Sequence, residues 1–244
     1  MRCTTETADK IARLLEGAEG TAARIATLHR HVDQRIVRGR GSLDYVRALR
    51  YDAFRREGAT EARSDRRLGD RFDHSPNAAV FAIRFEDRLC ATIRLHVVES
   101  IADESPAVHV FADHLVPLIE RGERLVDPNS FCVDPLLAGR FPEFAYLALR
   151  LPFMAAGLRS CSSVTATVRA EHAAFYRRVL RCHPVALPRP YPGRTTPLGL
   201  MLVSYDAESA AVEAQRPFFA AVPGEAEKIG LDRFAPRPEP AIAA

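Results

Sequence analysis

Lysine, patterned cysteine, long apolar runs and glycine motifs are all scarce in this sequence, and each scarcity removes a class of protein. Lysine occurs only as Lys10 and Lys228, so nearly all of the 34 basic residues are arginine. The guanidinium is planar, permanently charged and suited to carboxylates and phosphates. A GC-rich coding sequence produces the same bias with no function attached. The formal net charge of +3 gives no bulk case for nucleic acid. The cysteines, at 3, 90, 132, 161 and 182, are odd in number and share no metal-ligand spacing. They read as reduced intracellular thiols, with Cys90 and Cys132 in the core, and no metal site is expected. No run approaches the ~20 apolar residues of a membrane span, and the opening "MRCTTETADKIARLLEG" is amphipathic rather than signal-like. A cytoplasmic protein is expected. Walker and Rossmann glycine patterns are missing, as is any internal repeat.

What is present is 244 residues with 47% hydrophobic content, enough for the core of one large domain. Ile11, Leu14, Ala18, Ala22, Ile25 and Leu28 recur at helical spacing. They predict a helical extension over residues 1–30, interrupted near Gly17 and Gly20, that packs on the main domain or forms a dimer contact. The main domain, 31–220, opens with a strand in "HVDQRIVRG" and a helix in "SLDYVRALRYDAFRREG" capped by Ser42. A short helix ending in "DRFDHSPN" precedes "AAVFAIRFEDRLCATIRLHVV", which reads as a hairpin of two core strands. After a loop and short helix comes "RLVDPNSFCVDP", a strand in which Pro128 implies a bulge. The helix "EFAYLALRLPFMAAGLRS" carries Pro152 as a kink point; the strand "SSVTATV" and the helix "AEHAAFYRRVLR" follow. The proline-rich "HPVALPRPYPGRT" reads as an excursion before a last strand, "PLGLMLVSYD", and the tail 221–244 is expected to be partly disordered. The fold class is α/β, a mixed sheet with helices on both faces.

The stretch "TVRAEHAAFYRRVLRCHP" sets Glu171, His172 and Tyr176 among arginines. From Arg169 to Arg194 there are six arginines and one acid. This is either a solvated face or a basic edge for an anionic partner. Glu171 suits a helix start on dipole grounds alone. His172 lies four residues before Tyr176 on the same face, as a packing histidine or a proton relay. Tyr176, next to Phe175, is a core aromatic or a proton donor. Arg94, in mid-strand, needs an acid such as Asp127, Asp70 or Asp73, in a structural ion pair or at a substrate.

The order strand, bulge, helix, strand, helix resembles the GNAT acyltransferases. In that fold an acyl thioester lies in the gap beside the bulged strand, and a bulge N–H polarises its carbonyl. A tyrosine on the helix after the next strand protonates the leaving thiolate, and Tyr176 takes that place. The resemblance also puts substrate contact at Asn129, Ser130, Phe131 and Cys132, around the bulge. The pyrophosphate-binding "Q/R-x-x-G-x-G/A" is missing before the 143–158 helix, which points to a donor without a nucleotide. More specifically, "RALRYDAFRREG", "DRFDHSPNAAVFAIR", "CATIRLHV", "RLVDPNSFCVDP", "TVRAEHAAFYRRV" and "PRPYPGRTTPLGLM" together resemble the FeeM-type N-acyl amino acid synthases. These are GNAT-fold relatives of the acyl-homoserine-lactone synthases, and the likeness spans residues 32–220.

The resemblance implies transfer of a long acyl chain from acyl carrier protein to the α-amine of an amino acid. The donor is carried on phosphopantetheine, and no other cofactor is implied. It makes Asp127 the carboxylate that assists proton removal, with a turn aspartate before proline as the plain alternative. Arg94, Arg169 and Glu171 become substrate contacts, and Arg177, Arg178, Arg181, Arg189 and Arg194 a docking edge for the acidic carrier. Ser130 stands where the lactone synthases carry an arginine, and Arg169 where the acetyltransferases carry an asparagine. Two other readings stay open. One is a lactone synthase that uses S-adenosylmethionine; the other is a silent domain that senses acyl groups or carrier protein.

Overall fold

The computed structural model describes residues 1–234. The chain runs α1 (Thr5–Leu15), α2 (Gly20–His31), β1 (Val32–Ile36), α3 (Arg40–Arg56), β2 (Ala78–Phe85), β3 (Arg88–Val98), α4 (Pro106–Val110), α5 (Ala112–Glu120) and β4 (Leu125–Val133). It continues through α6 (Glu143–Arg159), β5 (Ser163–Val168), α7 (Ala173–Leu180), β6 (His183–Arg189), β7 (Leu198–Ser204), α8 (Tyr205–Gln215) and α9 (Glu225–Ile229). All seven strands form one sheet in the order β1-β2-β3-β4-β5-β7-β6. Among the described residues only the β4–β5 strand pair is parallel. Among the described residues no helix is long and apolar enough to cross a membrane.

Local chemistry accounts for most boundaries. The N-terminal extension breaks into α1 and α2 between Gly17 and Gly20, both at positive φ. Thr4 and Thr7 close a capping box at the start of α1. The cap expected at Ser42 is corrected: the N-cap is Gly39, three residues earlier and at φ +80°, and no side chain caps the helix. The hairpin forms as expected, with Phe85 paired to Arg88 across a tight turn in which Glu86 is left-handed. Alternation along β2 sends Phe81 and Ile83 to one face and Val80 and Ala82 to the other.

Each face has its own cover. Helices α1, α2 and α6 and the C-terminal segment pack on the face bearing Phe81, Ile93, Leu95, Val126 and Val164. On the other face α3 covers Val80, Ala82 and Cys132, and α5 covers Val98, Leu125 and Leu200. All five cysteines are free and buried.

Two proline-bearing segments behave differently from their sequence reading. In β4 the bulge lies two residues past Pro128. Arg94 pairs with Asn129 and Thr92 with Cys132, so Ser130 and Phe131 together face a single residue of β3. Pro128 itself pairs with Leu95, beyond the point where β4 and β5 stop pairing. There the strand has only one neighbour, which is where a missing N–H is tolerated. The proline-rich excursion is likewise corrected. His183–Arg189 is the edge strand β6, paired to β7 with two register irregularities, and an edge leaves Pro184 and Pro188 free of a second ladder.

Of the tail 221–244, expected to be partly disordered, residues 221–234 are ordered, and residues 235–244 lie outside the described residues. Phe219, Ile229, Leu231 and Phe234 are buried against α6 and β1. Each such burial is worth about 2 kcal/mol, which outweighs the charged and proline-rich composition. Gly230, at φ +89°, ends α9, and a Cβ there would meet Cγ2 of Ile36 at 2.7 Å. Gly230→Ala should therefore cost about 2 kcal/mol or more of stability in urea denaturation. A change under about 0.5 kcal/mol would mean that the tail does not lie on β1 as described.

Candidate active site

The parallel pairing of β4 with β5 consists of two pairs, Leu125 with Ser163 and Val126 with Val164. Beyond them the strands part, and a cavity of about 420 Å³ opens at the gap. Its lining comes from both faces of the sheet. From the α6 face come apolar groups, including Phe131, Val133, Phe141, Ala145, Phe175 and Tyr176. From the α3 and α5 face come polar and charged ones, among them Asp70, Arg94, Asn129, Tyr191 and Arg194.

The bulge sits at the junction. Ser130 holds φ +52°, a left-handed conformation rare outside glycine and costing about 1 kcal/mol or more. The turn reverses the alternation. Asn129 and Cys132 face α3, while Phe131 and Val133 face α6. Ser130, Phe131 and Cys132 all line the cavity. Burial pushes the Cys132 thiol up to about 12, so it is no nucleophile at neutral pH.

Behind the polar half lies a buried ion cluster. Arg94, 1% exposed, donates from Nη1 to Asp70 and to Asp73 Oδ1 at 2.7 Å, from Nη2 to Asp70 Oδ2 at 3.0 Å, and from Nε to Asn129 Oδ1 at 2.7 Å. Arg50 Nη1 and Arg47 Nε also reach Asp73, at 2.6 and 3.0 Å. Burial alone would raise the Asp73 carboxyl, but Arg50 and Arg94 more than reverse this and hold it at about 2. Gly69 makes the cluster possible, because a Cβ there would lie 2.3 Å from Arg47 Nε and 2.9 Å from Asp73 Oδ2. Arg94 thus meets the cavity already neutralised. Of its two acids, Asp70 lines the cavity and is 40% exposed, whereas the Asp73 side chain is sealed.

Asp127 is not where the sequence parallel puts it. It is 1% exposed and does not line the cavity. Its Oδ1 accepts from Thr165 Oγ1 at 3.0 Å and its Oδ2 from the Ala107 N–H at 3.1 Å. It ties α4 to the sheet and is not placed to take a proton from a substrate in the cavity. The alternative partner for Arg94 is settled by the same geometry, in favour of Asp70 and Asp73. Next to Asp127, His96 is fully buried. Its Nε2 meets the Phe72 carbonyl at 3.2 Å and its Nδ1 meets Asn129 Nδ2 at 3.1 Å. A neutral ring, protonated on Nε2, satisfies both contacts.

Tyr176, on α7, is partly buried against Phe175 and lines the cavity, and no hydrogen bond to its hydroxyl occurs among the described residues. Burial raises its pKa, so it stays protonated. His172 also lines the cavity, with Nε2 2.9 Å from Arg169 Nη2. Arg169 in turn pairs with Glu57 at 2.9 Å and with Glu171 at 3.3 Å, and Glu171 stays outside the cavity on the surface.

The five arginines expected to form a docking edge do not lie together as one edge. Arg177 and Arg178 are exposed on α7 with no acid in ion-pair range among the described residues. Arg181 pairs with Glu208, and Arg189 holds Asp113 through both oxygens, at 2.6 and 2.7 Å. Arg194 turns into the cavity. The sequence reading offered Asp70 and Asp73 as partners for Arg94 but placed neither at the cavity, and it gave no role to the Tyr191 of "PRPYPGR".

A family model described as "N-acyl amino acid synthase FeeM" matches residues 45–204. Comparison with curated proteins gives no match. Among solved structures, FeeM, an N-acyl amino acid synthase from uncultured soil microbes, superposes with a TM-score of 0.64 at 18% identity, covering 75% of this chain and 96% of that one. MesI, a CoA-dependent acyl-homoserine lactone synthase, gives 0.53 at 16% identity over 78% and 96%. LasI, an AHL synthase, gives 0.51 at 12% over 70% and 89%. The fold is that of the GNAT-like acyltransferases.

The buried polar layer carries a pH dependence. Burial first, then the Arg94 charge, lowers His96 from 6.5 to about 4, against the pull of Asp127. The unfolded chain therefore takes up a proton that the fold refuses. The stability is complete above pH 6.5 and falls as pH drops towards 4, by on the order of 3 kcal/mol. His96→Gln should lower stability at pH 7.5 but flatten that slope in denaturant titrations between pH 6.5 and 4. An unchanged slope would assign the titration to another group.

Proposed function

This chain belongs to the FeeM N-acyl amino acid synthase family of acyltransferases, and on that premise we propose that it moves a long acyl chain from acyl carrier protein to the α-amine of an amino acid. The observation that carries the reading is the cavity through the β4–β5 gap, apolar on the α6 side and charged on the other, with the Ser130 bulge between. An acyl chain fits the apolar side and a zwitterionic acceptor the charged side. The thioester carbon then lies at the bulge, where a main-chain N–H stabilises the oxyanion as the amine attacks. The C–N bond forms, the C–S bond breaks, the nitrogen gives up a proton and the thiolate takes one. Tyr176 is the donor to the thiolate. Asp70, held by Arg94, takes over from Asp127 as the carboxylate that faces the amine.

Two features support a carrier-bound donor over a nucleotide thioester. The loop before α6 lacks the glycine pattern that wraps a pyrophosphate. The first turn of α6 also carries an acid of its own, Glu143, 2% exposed and paired with Arg24. That charge sits at the helix end where a phosphate would otherwise be stabilised. Exposed Arg177 and Arg178 offer the acidic carrier a contact.

Incubation with acyl-carrier thioesters, mixed amino acids and S-adenosylmethionine, read by mass spectrometry, tests the whole reading. N-acyl amino acids are expected. A lactone product would assign the chain to the homoserine-lactone chemistry, and no product to an acyl-binding role.

Tyr176→Phe keeps the ring and removes the hydroxyl. Transfer should slow by roughly 10²-fold with folding intact. Full turnover would make Tyr176 a packing aromatic. Reversing Arg177 and Arg178 to glutamate should weaken carrier binding, and binding to the parent should fall as salt rises, since exposed charges are screened within ~10 Å at 0.1 M. Affinity that ignores both changes would return these arginines to a solvated face.

A further inference from the structure

Three arginines line the cavity, and two of them arrive with their charge already balanced. Arg94 has Asp70 and Asp73; Arg169 has Glu57 and Glu171. Arg194 has no such partner. Among the described residues no carboxylate lies within ion-pair range of it, and its guanidinium makes no hydrogen bond. It lies instead over the Phe54 ring, with Cζ 3.6 Å from the centroid. Stacking leaves the edge of the guanidinium, where its donors are, free for another group.

The position is built. The loop from 190 to 197 turns through an Arg194 N–H bond to the Tyr191 carbonyl at 3.0 Å. It is then stapled to the end of α3 by two bonds from Thr195, its N–H to the Ala59 carbonyl at 3.2 Å and its hydroxyl to the Gly58 carbonyl at 2.6 Å. Phe54 lies on the last turn of that helix. The two ends of the contact are therefore fixed to one another. Burial, and after it the nearby Arg50 and Arg94 charges, pull Arg194 down to about 10, so it is still a cation at neutral pH. A half-buried cation without a counter-ion among the described residues is a cost to the fold. A ligand anion would remove it.

We propose that Arg194 is the receptor for the α-carboxylate of the amino-acid acceptor, an assignment that rests on the N-acyl transfer proposed above. Arg194 lines the same cavity as Ser130 and Cys132 of the bulge, with Arg94 and Tyr191 beside them. That is where the reacting carbon lies. The acceptor's carboxylate is one carbon from the attacking nitrogen, so it must bind near this point. The phosphate of a phosphopantetheine arm lies the full length of the arm away. A carboxylate also matches the guanidinium fork in shape and charge. Asp70 and Arg194 then present opposite charges to the two ends of a zwitterion. Acceptors without a carboxylate leave Arg194 unpaired and are rejected.

The test uses product analogues that need no knowledge of the acceptor side chain. N-dodecanoylglycine keeps the amide and the carboxylate, and N-methyldodecanamide lacks the carboxylate. Isothermal titration should show the first binding the parent protein roughly 10²-fold more tightly than the second. In Arg194→Met the ratio should collapse to within about threefold by loss of the first affinity alone. Arg194→Lys, which keeps the charge and loses the fork, should fall between and guards against a folding defect in the methionine variant. Equal binding of both analogues to the parent overturns the assignment and leaves the acyl cavity standing. So does a methionine variant that loses phosphopantetheine while retaining N-dodecanoylglycine. Binding of neither analogue overturns the assignment together with the function proposed above.

Discussion

Strand β4 has a neighbour on both edges only as far as Val126. Everything at the site depends on how the next residues are satisfied once β5 has left. Pro128 requires no ladder bond on that side. Ser130 then takes a left-handed turn and inserts an extra residue, so side chains that would have pointed into one layer exchange faces. The cavity is the space between two strands that no longer pair. Its mixed character follows from drawing on two layers at once, an apolar one under α6 and a polar one under α3.

The polar layer depends on two carboxylates shared among three arginines. Asp73 serves three arginines, Asp70 shares Arg94, and Asn129 joins that cluster to His96. Removing one member would strand the others in a medium that solvates them poorly. Such a layer fixes the backbone at Asn129, next to the strained Ser130. The cluster is thus a support for the bulge as well as a wall of the cavity. It also explains why an arginine in mid-strand need not be a substrate contact, whereas Arg194, outside the cluster, has charge to spare.

Much of this was legible in the chain. Alternation and helical spacing placed α1 to α3, the β2–β3 hairpin, α6, β5, α7 and β7, because those signals arise from neighbours a few residues apart. Ordered blocks over residues 32–220 carried the resemblance to the FeeM-type synthases, and Tyr176 and the 129–132 segment meet at one cavity. The edge strand β6 was hidden by its prolines, since no local pattern tells an edge from a loop. The C-terminal helices were hidden by their polarity; their few apolar residues matter only because α6 and β1 wait beneath them.

The sequence by itself determined most element types, the bulge-prone strand and the family. Tertiary structure alone decided which acid meets which arginine. Asp127 and Asp70 look alike as isolated residues, yet Asp127 is consumed by Thr165 and the start of α4, while Asp70 is turned to the cavity. Five arginines in one stretch look like one patch, yet two remain exposed, two find acids on other elements and one stacks on Phe54. The reason is that ion pairing is a choice among partners far apart in sequence. Burial and strand register make that choice, and neither is written in the spacing of the residues themselves.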